Sequence, residues 1–328
     1  MFIAIVGTPS SGKGTVLGYL ERKYGFKRVG LSKVRNGKEP ISEQRAGSES
    51  CSTQKTFSNP SDLLDYATHN WLSHFVTTDL RTHAEIEVFI KRPFFLLVSV
   101  DGPLRVRFER EKARAPALGG QTITLEEFVD QHDSLLHASS FSSSTFPTAL
   151  LQKQLSSDFR RVLALAHVHV DNSFTEISAL NWYLDRLDLL DEERLRPGWD
   201  TYFMTLASLA SHRSNCMKRR VGALLVRSKR ILSTGYNGTP RGTKNCNQGG
   251  CSRCNGTARG GEALNECLCL HAEENALLEA GKERIGDDSV IYCNTQVHFL
   301  CLRMDEASAM VFKEGGVLLR QLHMPGAL

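Results

Sequence analysis

The chain has 328 residues, 41% hydrophobic and 23% charged, with a net charge of +4; these are ordinary proportions for a globular protein long enough to hold two domains. No apolar run reaches the roughly 18 residues that a membrane span needs, and MFIAIVGTPSSGKGT at the start lacks the basic flank and cleavage pattern of a secretory signal. The expected compartment is therefore the cytoplasm, with the nucleus as the alternative, and so mild a charge gives no ground to expect a nucleic-acid or membrane partner.

A short apolar strand, Phe2 to Val6, runs into Gly7-Thr8-Pro9-Ser10-Ser11-Gly12-Lys13-Gly14-Thr15. A helix pattern follows, with Val16, Leu17, Leu20 and Tyr24 on one face. Strand, glycine-rich loop and helix are the context of a phosphate-binding loop. Gly7, Gly12 and Gly14 let backbone N–H groups turn toward phosphate oxygens, the helix N-terminus adds positive potential, and Lys13 can reach the terminal phosphates. The G-x-x-x-x-G-K spacing is met, but Gly14 stands where Ser or Thr is usual, with Thr15 one place later. That variant resembles the GKGT loop of adenylate kinases and related nucleotide kinases. The plainer reading is a glycine turn closing a strand on a helix.

Residues 37–60 are rich in Ser, Glu, Gln, Gly and Pro and read as a loop or disordered insert. A long helical stretch is expected near Leu63 to Arg92. FFLLVSV (Phe94 to Val100) is a buried-strand run ended by Asp101-Gly-Pro, where the acid either holds a metal ion such as Mg2+ beside a nucleotide triphosphate or simply opens a turn. Ser139 to Pro147 is a second serine-rich insert. Val162 to Asn172 reads as a strand with the end of a helix before it, and Glu176 to Leu187 as the closing helix. Strands alternating with helices imply a parallel sheet covered on both faces, an α/β fold of three layers over residues 1–190.

The charged stretch DEERLRPGW (Asp191 to Trp199) marks a boundary, and a second domain is expected over 197–328. Its pattern starts with a helix near Thr201 to Lys218. The basic cluster Lys218-Arg219-Arg220 is either a solvated helix end or an anion contact. The strands Val221 to Arg227 and Ile231 to Gly238 follow. Next come a cysteine-rich loop, a helix entered at His271, and the strand Ser289 to Asn294.

Of nine cysteines only Cys51 lies in the first 200 residues; the others fall between Cys216 and Cys301. An odd count without a secretory signal disfavours disulfides, and clustered thiols in a reducing compartment point to metal. Cys246, Cys251, Cys254, Cys267 and Cys269 form one constellation, with Cys251-Ser-Arg-Cys254 a C-x-x-C step. Cys246, Cys251, Cys254 and Cys269 supply the ligand count of a structural zinc site; free thiols in a loop are the alternative.

SNCMKRRVGALLV, STGYNGTPRGTKNC and CLCLHAEENALLEAG resemble the deoxycytidylate deaminase family, and so does the tail Arg303 to Leu322. Fungal members of that family are similar upstream too, carrying a P-loop-like domain ahead of the deaminase domain. The resemblance implies a cytidine-deaminase-like α/β/α sandwich that hydrolyses dCMP to dUMP and ammonia in nucleotide biosynthesis, with dCTP and dTTP as allosteric effectors and a homo-oligomer, a hexamer, as the assembly. It implies Zn2+ held by one His and two Cys, with His271 the ligand and Glu273 the acid/base. Within a regular helix, residues spaced as His271 and Glu273 are would lie about 200° apart, so His271 must sit at the helix entry for both to face one water. Gly235-Tyr236-Asn237-Gly238 matches the family's nucleotide-contacting loop, with Asn237 the candidate for a sugar or base hydrogen bond; a turn built on Asn-Gly is the alternative.

The family's other two zinc ligands come from P-C-x-x-C after the strand that here reads IYCNT, and this chain has no P-C-x-x-C. Residues 296–302 stand where the family has a helix, a strand and their connections, roughly 20–25 residues. An internal deletion is expected there. The last strand, Val317 to Leu322, must then pair directly beside Ser289 to Asn294 or leave an open edge. His298 and Cys301 are the nearest substitutes, and Cys293 reads as a buried small hydrophobe. Two other functions stay open: a catalytically dead nucleotide-binding or regulatory subunit of the same family, and a P-loop phosphotransferase acting through the first domain.

Overall fold

The structure is a computed structural model that describes residues 1–32, 55–117, 123–137, 158–259, 261–286, 288–295 and 317–320. The chain divides into two compact units, Met1–Arg196 and Pro197–Leu328.

In the first unit β1 (Phe2–Gly7), α1 (Lys13–Tyr24), β2 (Lys27–Leu31), β3 (Lys55–Phe57), α2 (Pro60–His69), β4 (Phe75–Thr77), α3 (His83–Ile90) and β5 (Phe95–Asp101) follow one another. Then come α4 (Leu104–Ala117), α5 (Leu125–His137), helical residues 158–164 (α6), β6 (Val168–Asp171) and α7 (Ile177–Leu187). The six strands lie in the order β3-β2-β4-β1-β5-β6, and every pairing is parallel. Alternate residues of β1 enter opposite cores, because successive strand side chains point to opposite faces. Ile3 and Ile5 pack with α1 and α7, whereas Phe2, Ala4 and Val6 pack with α2 and α3.

One long helix from Leu63 to Arg92 does not form. Asn59 caps α2, its side chain accepting the Asp62 N–H, and Asn70 ends the helix. Thr82 opens α3 with a capping box to Glu85. Between them Phe75, Val76 and Thr77, all buried, thread between β1 and β2. Three residues are too few to show alternation, so their strand character comes from their neighbours. β3 and the start of α2 also fall inside the stretch expected as a loop over 37–60; residues 33–54, with Cys51, and the serine-rich 139–147 lie outside the described residues.

The second unit holds α8 (Trp199–Ser211), β7 (Gly222–Arg227), β8 (Arg230–Tyr236), a four-residue α9 (Ser252–Asn255), α10 (Ala272–Ala280), β9 (Ser289–Cys293) and β10 (Val317–Arg320). The sheet order is β10-β9-β7-β8. β7 again splits its side chains: Ala223 and Leu225 meet Ala272, Ala276 and Ala280 of α10, while Leu224 and Val226 meet Phe203 and Met204 of α8. β10 pairs in parallel with β9, Val317 opposite Ser289, the first of the two arrangements expected for the last strand. α8 stops at Ser211 rather than near Lys218, leaving 214–220 as a loop.

Candidate active site and cysteine cluster

The helix that carries the histidine and glutamate is fixed by a close approach. A Cβ on Gly235 would lie 2.0 Å from the Ala272 carbonyl oxygen and 2.5 Å from the Ala276 nitrogen. Only a glycine lets β8 touch α10 there, and Ala272, Ala276 and Ala280 supply the small face that meets the sheet. Ser233 Oγ donates to the Ala276 carbonyl at 2.6 Å, and Asn275 Nδ2 to the Tyr236 carbonyl at 3.0 Å. Gly235 thus seats the helix.

His271 is the N-cap of α10, with extended φ/ψ (−71°, 157°), and Glu273 lies in the first turn. The helix entry expected from the two-residue spacing is therefore what forms. His271 is exposed; Glu273 is half-buried. Cys293, buried at the end of β9, donates its thiol to Glu273 Oε1 at 2.9 Å. Burial, and then the Glu273 charge, push the Cys293 thiol up, so it stays protonated and remains a donor. Cys293 is more than a small hydrophobe: it anchors the carboxylate.

Asn237 follows β8. Its carbonyl accepts from Ser214 Oγ at 2.7 Å, Asn215 N at 3.2 Å and Cys216 N at 3.3 Å, which ties the loop after α8 to the loop after β8. Its side-chain Oδ1 is buried and has no hydrogen-bond partner among the described residues. Buried acceptors are rarely left so, and nearby Asn215 Oδ1 and Thr239 Oγ1 are likewise unmet. Gly238 packs against Asn215 and bridges to Leu270, just before His271; Tyr236 is half-buried at the strand end.

Among the described residues, His271 joins no group of three or more His, Cys, Asp and Glu side chains close enough to hold a metal. His298 and Cys301 lie outside the described residues. Two such groups do form, both from cysteines: Cys216, Cys246, Cys254 and Cys269, and Cys251, Cys254, Cys267 and Cys269, with the sulfurs of each group within 4.8 Å of one another. The expected single set of Cys246, Cys251, Cys254 and Cys269 is corrected on this point, because Cys246 and Cys251 fall in different groups. Cys216 was missed. It stands alone, 30 residues before the next cysteine, and only the early end of α8 brings its loop to the cluster.

In the first unit the glycine-rich loop joins β1 to α1. Gly7 has φ +148°, and a Cβ there would lie 1.9 Å from the Val100 carbonyl oxygen. Lys13 Nζ donates to the Gly7 carbonyl at 2.9 Å and the Thr8 carbonyl at 2.6 Å. Arg107, buried, donates to the Pro9 carbonyl at 3.3 Å, and Asn172 Nδ2 to the Ser11 carbonyl at 2.7 Å. The loop carbonyls are thus occupied by protein donors. Since a trans peptide points its N–H opposite to its C=O, the N–H groups of Ser10 and Gly12 face away from those donors. Gly12 caps α1 with φ +97°, Gly14 is open, and Thr15 donates its N–H to Gly12. Asp101, at the end of β5, accepts from Thr8 Oγ1 at 2.5 Å.

A sheet sandwiched between helices, with a histidine capping one helix and a glutamate in its first turn, defines the cytidine-deaminase-like class. Residues 197–303 match the family model described as cytidine and deoxycytidylate deaminase zinc-binding region. The chain belongs to the deoxycytidylate deaminase family: it is 40% identical over 342 aligned residues to the deoxycytidylate deaminase of Schizosaccharomyces pombe, covering 98% of each chain. To that of Saccharomyces cerevisiae it is 39% identical over 289, covering 80% of this chain and 86% of the relative. An alignment of 342 positions exceeds the 328 residues here, so some positions of the S. pombe protein have no counterpart in this chain. A solved dCMP deaminase from the cyanophage S-TIM5 is 26% identical, with a TM-score of 0.27, over 39% of this chain and 99% of its own.

Proposed function

We propose that the second unit acts on dCMP, the family reaction being hydrolysis to dUMP and ammonia. The observation that carries this is Glu273, placed in the first turn of the helix capped by His271 and anchored by Cys293, in a chain 40% identical to a deoxycytidylate deaminase over almost its whole length. Hydrolytic deamination adds water at C4 of the ring. A proton must leave that water, reach N3, and later accompany the departing amine. Glu273 is the carboxylate for this transfer, and the Cys293 thiol fixes its plane before substrate arrives. Asn237 Oδ1, buried and unmet, accepts from a sugar hydroxyl or the base. The matched region is a zinc-binding one, yet catalytic zinc sites use three or so protein ligands and the described residues offer His271 alone. They do not fit that metal.

This misfit favours a second reading: a family member that binds nucleotide without turning it over, as a regulatory subunit in a homo-oligomer such as a hexamer. One experiment separates the two. dCMP binding by calorimetry and dUMP release by chromatography are followed on the purified 328-residue chain. Binding that weakens about 5- to 150-fold in Asn237→Ala is expected, since an unmade buried hydrogen bond costs about 1–3 kcal/mol. dUMP release supports the deaminase, binding without dUMP gives the second reading, and no binding of dCMP sinks both.

We further infer that the first unit binds a nucleotide triphosphate at Gly7, Gly12, Lys13, Gly14 and Thr15, with Mg2+ near Asp101, dCTP and dTTP being the effectors the family resemblance implies. The direction of the loop carbonyls supports this, and so does Lys13. Burial, with Arg81, Arg114 and Arg107 nearby, pushes Lys13 down to about 8, so a buried ammonium stands where an anion would stabilise it. A lowered lysine favours the neutral form. Stability of the unliganded protein is therefore reduced below about pH 8 and rises as pH climbs toward the unfolded value of about 10.4. Lys13→Met is expected to raise the melting temperature at neutral pH while abolishing dCTP or ATP binding. Unchanged triphosphate affinity in that variant removes the site, and efficient phosphoryl transfer to a nucleoside monophosphate would make the first unit a kinase.

A further inference from the structure

Among the described residues, six cysteines of the second unit gather into groups that could hold more than one metal ion. Their two groups of four share two members, Cys254 and Cys269. Tetrahedral zinc with Zn–S bonds of about 2.3 Å sets its sulfurs about 3.8 Å apart along each edge. The shared edge, Cys254 to Cys269, measures 3.9 Å. An edge of the first tetrahedron, Cys216 to Cys254, measures 3.8 Å, and one of the second, Cys254 to Cys267, measures 3.6 Å. None of these pairs approaches the roughly 2.05 Å of a disulfide, and all six thiols are free.

The geometry points to a binuclear cluster in which six thiolates hold two zinc ions, Cys254 and Cys269 bridging, Cys216 and Cys246 terminal on one ion, Cys251 and Cys267 terminal on the other. The terminal sulfurs already receive backbone donors, as thiolates do: the Met217 N–H reaches Cys246 Sγ at 3.4 Å, and the Leu268 N–H reaches Cys251 Sγ at 3.4 Å. Cys246, Cys251 and Cys254 are buried, and Cys269 nearly so. Six buried or half-buried thiols in contact, without metal, would form a polar core with few good partners; two zinc ions satisfy them together. The ions displace six thiol protons, and the cluster keeps a net charge of −2, beside the buried Arg253 guanidinium. The cluster has a structural role: it ties the loop after α8, the α9 turn and the segment entering α10.

Metal is counted by native mass spectrometry on the full chain carrying His271→Ala, so that zinc held at that imidazole leaves the count. Two zinc ions per chain are expected. Cys216→Ser should lower the count to one, and Cys254→Ser should remove both. Because a bridging variant can lose metal by failing to fold, cadmium NMR of the exchanged parent chain gives an independent reading: two resonances, mutually coupled through the bridging sulfurs. One metal per chain, a single cadmium resonance, or two uncoupled resonances overturns the cluster.

Discussion

Cys269 and His271 are two residues apart, and their surroundings are opposite. Cys269 touches three other cysteines in each of two groups. His271 is exposed and, among the described residues, has no companion ligand. Both are residue types that can ligate a metal, and both stand at the entry of one helix. The difference lies in where partners come from. Those of Cys269 come from loops the chain retains, around Cys216, Cys246 to Cys254, and Cys267. The family's partners for such a histidine come from a P-C-x-x-C after β9, which this sequence lacks, and β10 pairs directly with β9. A ligand is only as good as the distant backbone that brings its partners, so two neighbouring candidates can differ entirely in the company they keep.

The strongest way to break this contrast is to return the missing partners. Replacing residues 296–302 by a segment carrying P-C-x-x-C with its helix and strand should add one zinc per chain. dCMP turnover should then rise to about 10⁶-fold or more above the uncatalysed rate. In that background Glu273→Gln should cost about 10²–10⁴-fold in kcat with the added zinc retained. Added zinc without dUMP would show that ligands alone were not what His271 lacked.

A smaller effect tests the shared support. Gly235→Ala puts a Cβ 2.0 Å from the Ala272 carbonyl, a backbone atom that cannot turn aside. It should destabilise the protein by about 1–3 kcal/mol in urea denaturation. Because α10 carries His271 and adjoins the cysteine segment, the same variant should weaken dCMP binding. An unshifted unfolding midpoint would mean that β8 and α10 do not meet so closely.

The smallest effect concerns Cys293. Its pKa is raised in the fold, so the unfolded chain loses this proton first as pH rises above about 8.5. The stabilising contribution is whole below that value and falls as pH increases, by less than about 1 kcal/mol at pH 9. Cys293→Ser, which keeps a donor but does not ionise there, should flatten that alkaline decline. An identical pH profile for the two proteins would mean that burial and the Glu273 charge do not hold the Cys293 thiol protonated.

Much of the site was legible because its signals are local. If a histidine and a glutamate two residues later are to face one water, the histidine must stand at a helix entry, and His271 does. The absence of P-C-x-x-C could be read directly, but it left the last strand either paired with β9 or at an open edge, and the structure shows Val317–Arg320 paired. What was not legible depends on partners far along the chain. Cys293 gives no sign in sequence that its thiol meets Glu273, 20 residues away. Cys216 resembles any lone cysteine until α8 ends early. Gly235 reads as part of a turn motif, while its work is to admit a helix.

By itself the sequence determined the two alternating patterns of strand and helix, the boundary near Pro197, the glycine-rich loop and the family, because periodicity, spacing and motif are properties of neighbouring residues. Only the tertiary structure decided that Phe75–Thr77 is a central strand and that six cysteines fall into two groups sharing an edge. Those outcomes are set by burial and by distances between segments remote in sequence, which no local pattern encodes.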